Sequence, residues 1–235
     1  MKLHIKKHLI LLAALTSLPA AANDFSSISF GAQYGIDDGL SDSVIGHAES
    51  SLGGYGRLSW NFYDHIFADY NISYSSFDGP SFQSQHFSTT TYASTTKQDF
   101  GIGYYFELGS YSPYIKVNKT SFKQSYKGTT GSFTPGTNGI TPPDISDASY
   151  TADGYGLELG SFIHMSENWT LKVLGSISKL EESGQDIDLY ETYAISDTKF
   201  GSNWAFEAAL GYRKLKAQGA DLGEFMPQVG LKYDF

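Results

Sequence analysis

The segment that most limits what this chain can fold into is its last, Phe225-Met226-Pro227-Gln228-Val229-Gly230-Leu231-Lys232-Tyr233-Asp234-Phe235. Phe225, Pro227, Val229, Leu231, Tyr233 and Phe235 take alternate positions; Met226, Gln228, Gly230, Lys232 and Asp234 take those between. Side chains of a β-strand point to opposite faces with a period of two, so this reads as a strand with one apolar and one polar face. The apolar face has to meet a second sheet or lipid.

The same alternation recurs and predicts ten strands. The first lies near residues 25–35, with Ile28, Phe30, Ala32 and Tyr34 on one face. The second (50–62) presents Leu52, Leu58, Trp60 and Phe62, and a turn at Tyr63-Asp64 leads to a third with Ile66, Ala68, Tyr70, Ile72 and Tyr74. The fourth runs to Phe106 with Phe100, Ile102 and Tyr104 outward, and the fifth starts near Tyr111 with Pro113, Ile115 and Val117. The sixth (150–164) shows Tyr155, Leu157, Leu159 and Ile163; the seventh shows Trp169, Leu171, Val173 and Ile177. The eighth, within 188–199, is the least regular; the ninth shows Trp204, Phe206, Ala208, Leu210 and Tyr212, and the tenth is the C-terminal segment. If the eighth is loop, the count becomes eight.

The central apolar faces are nearly free of charge, as lipid requires. Lys119 is the exception and is expected near the headgroups, its stem on apolar surface and its ammonium in water. Short connections (63–64, 107–110, 165–168, around 197–203) alternate with longer ones (36–49, 78–86, 127–149, 181–187, 217–223). An outer-membrane barrel has this asymmetry, with short periplasmic turns opposite longer external loops, whereas a soluble sandwich has no reason for it. Trp60, Tyr63, Trp169 and Trp204 sit beside the short turns and, with Phe235, are expected to form a periplasmic aromatic girdle. The expected fold is therefore all-β: an antiparallel, up-and-down transmembrane β-barrel of about ten strands, with both termini in the periplasm.

The N-terminus fits that destination. Lys2, Lys6 and Lys7 precede the apolar run Leu9-Ile10-Leu11-Leu12-Ala13-Ala14-Leu15 and the small-residue stretch Ala20-Ala21-Ala22. Residues 1–22 read as a secretory signal peptide cleaved between Ala22 and Asn23, leaving 23–235 as one barrel domain. No later run approaches ~20 apolar residues, so no transmembrane helix is expected. Cysteine is absent, which removes disulfides and thiol chemistry. Of 16 Lys and Arg, three lie in the signal segment, and the remaining 13 face 25 Asp and Glu, a balance that excludes a nucleic-acid binder.

The inward faces carry charges of both signs: Arg57, Asp69, Asp99, Lys116, Glu158, Lys172, Glu207, Arg213 and Lys232. Neighbouring strands suggest the pairs Arg57 with Asp69, Lys116 with Glu158, Glu158 with Lys172, and Glu207 with Lys232. With the bulky Tyr55, Phe67, Tyr105 and Tyr114, they are expected to fill a small lumen and leave it closed or very narrow; a selective conduit is the alternative.

Two motifs bear on catalysis. Phe162-Ile163-His164-Met165-Ser166 holds a His-x-Ser pair that resembles the lipid A deacylase PagL, but it falls at a periplasmic turn, away from outer-leaflet lipid. Asp186-x-Asp188, His47 and His86 lie near the outer rim, where omptin proteases work, without the Asp-x-His pairing of that family, whose strands extend further from the membrane. No enzyme, cofactor or metal site is expected. The Gly-, Thr- and Pro-rich stretch 128–147 is expected to be exposed surface.

Gly154-Tyr155-Gly156-Leu157-Glu158-Leu159-Gly160, Ser166-Glu167-Asn168-Trp169, Thr170-Leu171-Lys172-Val173 and Ala208-Ala209-Leu210-Gly211-Tyr212-Arg213 resemble strand–turn–strand units of the small outer-membrane barrels of Gram-negative bacteria: the OmpA-barrel-like, OmpX-like and opacity-type porin families. The ending 229–235 resembles the signal read by the barrel-assembly machinery. The resemblance implies an integral outer-membrane monomer whose partners are outer-membrane lipid and lipopolysaccharide, the assembly machinery and a ligand of the loops. Its role would be surface interaction or envelope integrity, with a small porin as the alternative. No trailing peptidoglycan-binding domain is expected.

Overall fold

The computed structural model describes residues 24–37, 50–78, 82–83, 88–130, 148–217 and 220–235. Residues 1–23, with the expected signal peptide and its cleavage site at Ala22 and Asn23, His47, His86 and residues 131–147 lie outside the described residues. The strands are β1 (Ser27–Asp37), β2 (Ser50–Tyr63), β3 (Ile66–Asp78), β4 (Phe82–Gln83), β5 (Ser88–Tyr105), β6 (Tyr111–Thr130), β7 (Ala148–Ser166), β8 (Trp169–Glu182), β9 (Gln185–Lys199), β10 (Trp204–Ala217) and β11 (Ala220–Asp234). Chain neighbours pair antiparallel, β3 pairs with β5, and β11 returns to β1, so ten strands close into an up-and-down barrel. The two-residue β4 pairs with the upper end of β5 and takes no part in closure. No described helix is long and apolar enough to cross a membrane.

Closure follows from the alternation. Phe30, Phe100, Ile102, Val117, Leu159, Leu210 and Val229 face outward and are exposed, while their chain neighbours point into the lumen. A closed barrel is the only sheet that leaves no unpaired edge in hydrocarbon, where each unpaired backbone group costs several kcal/mol.

Two connections expected to be long are largely strand, paired in extended hairpins. Ser183 and Gly184 alone join β8 to β9, with φ of 50° and 80°. Positive φ at both central residues is the turn that matches strand twist. Between β10 and β11 the pairing extends to Ala217 and Ala220, and residues 218 and 219 lie outside the described residues.

Strand length is uneven. β5, β6 and β7 contain 18, 20 and 19 residues, against 11 in β1. At roughly 2.5 Å of axial rise per residue in a tilted strand, β6 reaches about 50 Å, twice the apolar band of ~25 Å. These strands project beyond the bilayer at the end away from the termini.

Candidate functional site: the barrel lumen and its rims

Three layers fill the lumen. The lowest, at the end bearing the termini, is aromatic. Phe25, ahead of β1, turns into the barrel and is 2 % exposed. Its ring stacks on Tyr105 at 4.2 Å, lies 4.4 Å from Phe67, and meets Phe162 and Tyr114 edge-on at 4.9 and 5.7 Å. Gly103 and Gly160 are the cross-strand partners of Phe67 and Tyr114, and a Cβ at either would collide with the facing ring. The entering segment is held by His164 Nε2, 2.9 Å from the Asp24 carboxylate, and by the Phe235 amide donating to the Ser26 carbonyl at 3.1 Å. Burial pushes the Asp24 carboxyl above its ordinary pKa, and the neighbouring His164 opposes that rise in part. Outside this layer lies a vestibule of about 310 Å³ bordered by Asp24, Glu107, His164, Lys199, Asn203 and Asp234.

The middle layer is ionic. Arg57 pairs with Glu207 at 2.6 Å and also donates to Gln228, while the Tyr55 hydroxyl donates to Glu207 at 2.6 Å. Lys116, 1 % exposed, bridges Asp69 at 2.7 Å and Glu158 at 2.8 Å, and Tyr114 donates to Glu158. Lys97 pairs with Asp99 and Glu191; Glu191 also takes Arg213 at 2.9 Å, and Thr120 donates to Asp99. Lys232 pairs with Asp197 at 2.9 Å and Asp234 at 3.2 Å. Lys172 has no ion pair among the described residues; its ammonium lies 4.9 Å from the Phe162 ring centre and 5.3 Å from that of Tyr114.

All nine lumen charges read from the sequence lie within this layer; Lys116 keeps its expected adjacent-strand partner Glu158, but the other three expected pairs do not form among the described residues. Arg57 stands opposite Asn71 in register, not Asp69, and reaches Glu207 past β1 and β11. Glu207 is bound to Arg57 rather than Lys232, and no ion pair joins Glu158 to Lys172 among the described residues. In so narrow a barrel a long side chain reaches a wall three strands away as easily as its neighbour.

The upper layer is apolar: Ala152, Leu180 and Leu189 are buried against Phe122, Ile187 and Leu215. Around the ionic layer, cavities of about 60 and 40 Å³ have room for one or two waters each.

On the outer wall, Trp60, Tyr63, Trp169 and Trp204 are exposed and ring the end that bears the termini; the Phe235 side chain is partly covered beside them. Trp169 donates to Ser196 at 2.9 Å, and Trp204 packs edge-on against Tyr233. His164 and Ser166 lie at this same end; the two nitrogens of His164 face Asp24 and Thr170, and no hydrogen bond joins it to Ser166 among the described residues.

Lys97, Glu191, Asp197, Asp24, Phe25 and Phe162 went unrecognised in the sequence. A usable signal existed for three of them: with Phe100 outward, Lys97 must face in, and Ile163 outward puts Phe162 inside. Glu191 follows once Tyr190 is placed outward.

The fold is that of an integral outer-membrane β-barrel. Residues 8–213 match the family described as outer membrane protein beta-barrel domain, and the chain belongs to that family. No curated protein matches it. Among solved structures, the chain is similar to the outer membrane protease OmpT from Escherichia coli (11 % identity, 94 % of this chain and 100 % of that one, TM-score 0.49). It is also similar to the NanC porin (8 %, 88 % and 100 %, 0.46) and to Ail, the attachment invasion locus protein of Yersinia pestis (11 %, 88 % and 97 %, 0.35).

Proposed function

We propose that this protein is a non-conducting, non-catalytic outer-membrane barrel that serves surface interaction or envelope integrity, as a monomer with its termini in the periplasm. The observation that carries the reading is the layered lumen. An aromatic layer closes one end, an apolar cluster closes the other, and an ion-paired layer lies between them. Hydrophobic constrictions exclude water and hence ions, and cations already paired with buried carboxylates offer passing anions little.

With the lumen closed, what the protein presents is its outer rim, built on the projecting β5, β6 and β7. Residues 131–147, which join β6 to β7, are the segment to test for a ligand. In this reading His164 holds the N-terminal segment through Asp24 rather than activating a nucleophile.

Single-channel recording in a planar bilayer tests it. The refolded protein is expected to be silent, and Arg57→Ala and Glu158→Ala variants serve as controls. Stable, ion-selective steps from the parent that change in those variants would make it a porin and overturn the reading.

A further inference from the structure

The amphipathic phase of the wall inverts partway up the barrel, and one row of side chains marks the change. Val117, Leu157 and Ile177 are register partners on β6, β7 and β8, all outward, apolar and exposed. One step further from the termini the outward row is Lys119, Tyr155 and Lys179, partners in the same way. The next carries Asp153, Glu181 and, on β9, Asp186, three exposed carboxylates. Around and above the Lys119 row the inside turns apolar (Leu189, Leu180, Phe122) while the outside turns charged, as in a water-soluble sheet. The Lys119 row is therefore where hydrocarbon ends. It stands about 20–25 Å above the termini end, a height that agrees with an apolar band of ~25 Å.

Lys119 and Lys179 are exposed and form no ion pair among the described residues, although Asp188 is the register neighbour of Lys179. One strand separates them, so their backbones lie about 10 Å apart. That strand places Tyr155 between them, 74 % exposed, and its phenol can donate a hydrogen bond. We infer that Lys119, Tyr155 and Lys179 seat one phosphorylated headgroup of a lipid in the leaflet away from the termini. Two ammonium groups and a phenol share one outward row at the plane that lipid phosphates occupy, and the apolar row beneath takes the acyl chains. The carboxylates above decide the source. A free phosphate from water has to pass Asp153, Glu181 and Asp186, whereas a lipid phosphate approaches from below and meets the lysines first.

The inference rests on the proposed orientation only for which leaflet it names, and a detergent experiment, which has no sides, keeps the two separate. Lipid A bearing both phosphates is added to the refolded protein in dodecyl maltoside, and bound lipid is counted by native mass spectrometry. Lys119→Gln/Lys179→Gln is expected to weaken binding about thirty-fold, and fully dephosphorylated lipid A to bind the parent only as well as that variant. Lys119→Arg/Lys179→Arg keeps the charge and should keep the lipid, which controls for altered folding. Binding by the Gln variant within about twofold of the parent, or equal binding of dephosphorylated lipid, overturns the inference.

Discussion

Lys116 offers the sharpest test of how the lumen is held together. Its side chain is almost wholly enclosed, and its ammonium donates to Asp69 at 2.7 Å and Glu158 at 2.8 Å, both carboxylates themselves largely buried. Hydrogen bonds to charged groups contribute about 1.5–3 kcal/mol each, so two of them set a scale of about 3–6 kcal/mol. Removing one partner of a buried pair costs about 3–5 kcal/mol, because the charges left behind have no compensation. Lys116→Met, close in length and apolar, should therefore destabilise the barrel by about 3–5 kcal/mol. The double variant Lys116→Met/Asp69→Asn removes one charge of each sign, leaves Glu158 beside the ammonium of Lys172, and should recover most of that loss, since replacing a buried ion pair outright is often neutral. Urea unfolding in lipid vesicles, followed by tryptophan fluorescence at Trp60, Trp169 and Trp204, measures both. A Lys116→Met cost below about 1 kcal/mol would mean that water already screens the pair, contrary to a closed lumen. A double variant no more stable than the single would refute ion pairing as the source of the cost.

Two predictions concern the N-terminal segment. Phe25→Ala removes the ring at the centre of the aromatic layer and should weaken docking of residues 24–26 by about 3–5 kcal/mol, read as lost hydrogen-exchange protection of the Phe235 amide that bonds Ser26; unchanged protection would show that Phe25 does not anchor it. Asp24 has a folded pKa above its unfolded value, so its contribution to docking is fully present below the unfolded pKa and is lost as pH rises through the folded one. Asp24→Asn should accordingly hold the segment at neutral pH at least as firmly as Asp24 does in acid, with protection, corrected for intrinsic exchange, that no longer falls with pH; a variant docked more weakly at neutral pH would show that the attraction of His164 outweighs burial.

Why some of this was legible and some not can be traced to particular residues. β11 was plain because every outward side chain from Phe225 to Tyr233 lies at membrane depth, where the apolar requirement applies to each. β9 was faint because its membrane-level outward residues are Ala194, Ser196 and Thr198, while its upper part carries Asp186 and Asp188 outside and Ile187 and Leu189 inside. The same inversion made residues 181–187 resemble a loop when they form the tip of a hairpin.

The sequence by itself determined the strand faces, the closed antiparallel architecture and the two levels at which the wall changes character, because each depends on a residue and its neighbours two positions away meeting lipid or water. Tertiary structure alone decided that Arg57 takes Glu207, that Lys172 rests on aromatic rings and that Phe25 sits at the centre of the aromatic layer. Those contacts cross the lumen between strands that do not adjoin, or come from a segment ahead of the first strand. They depend on circumference and strand stagger, quantities of the whole barrel that no local pattern encodes.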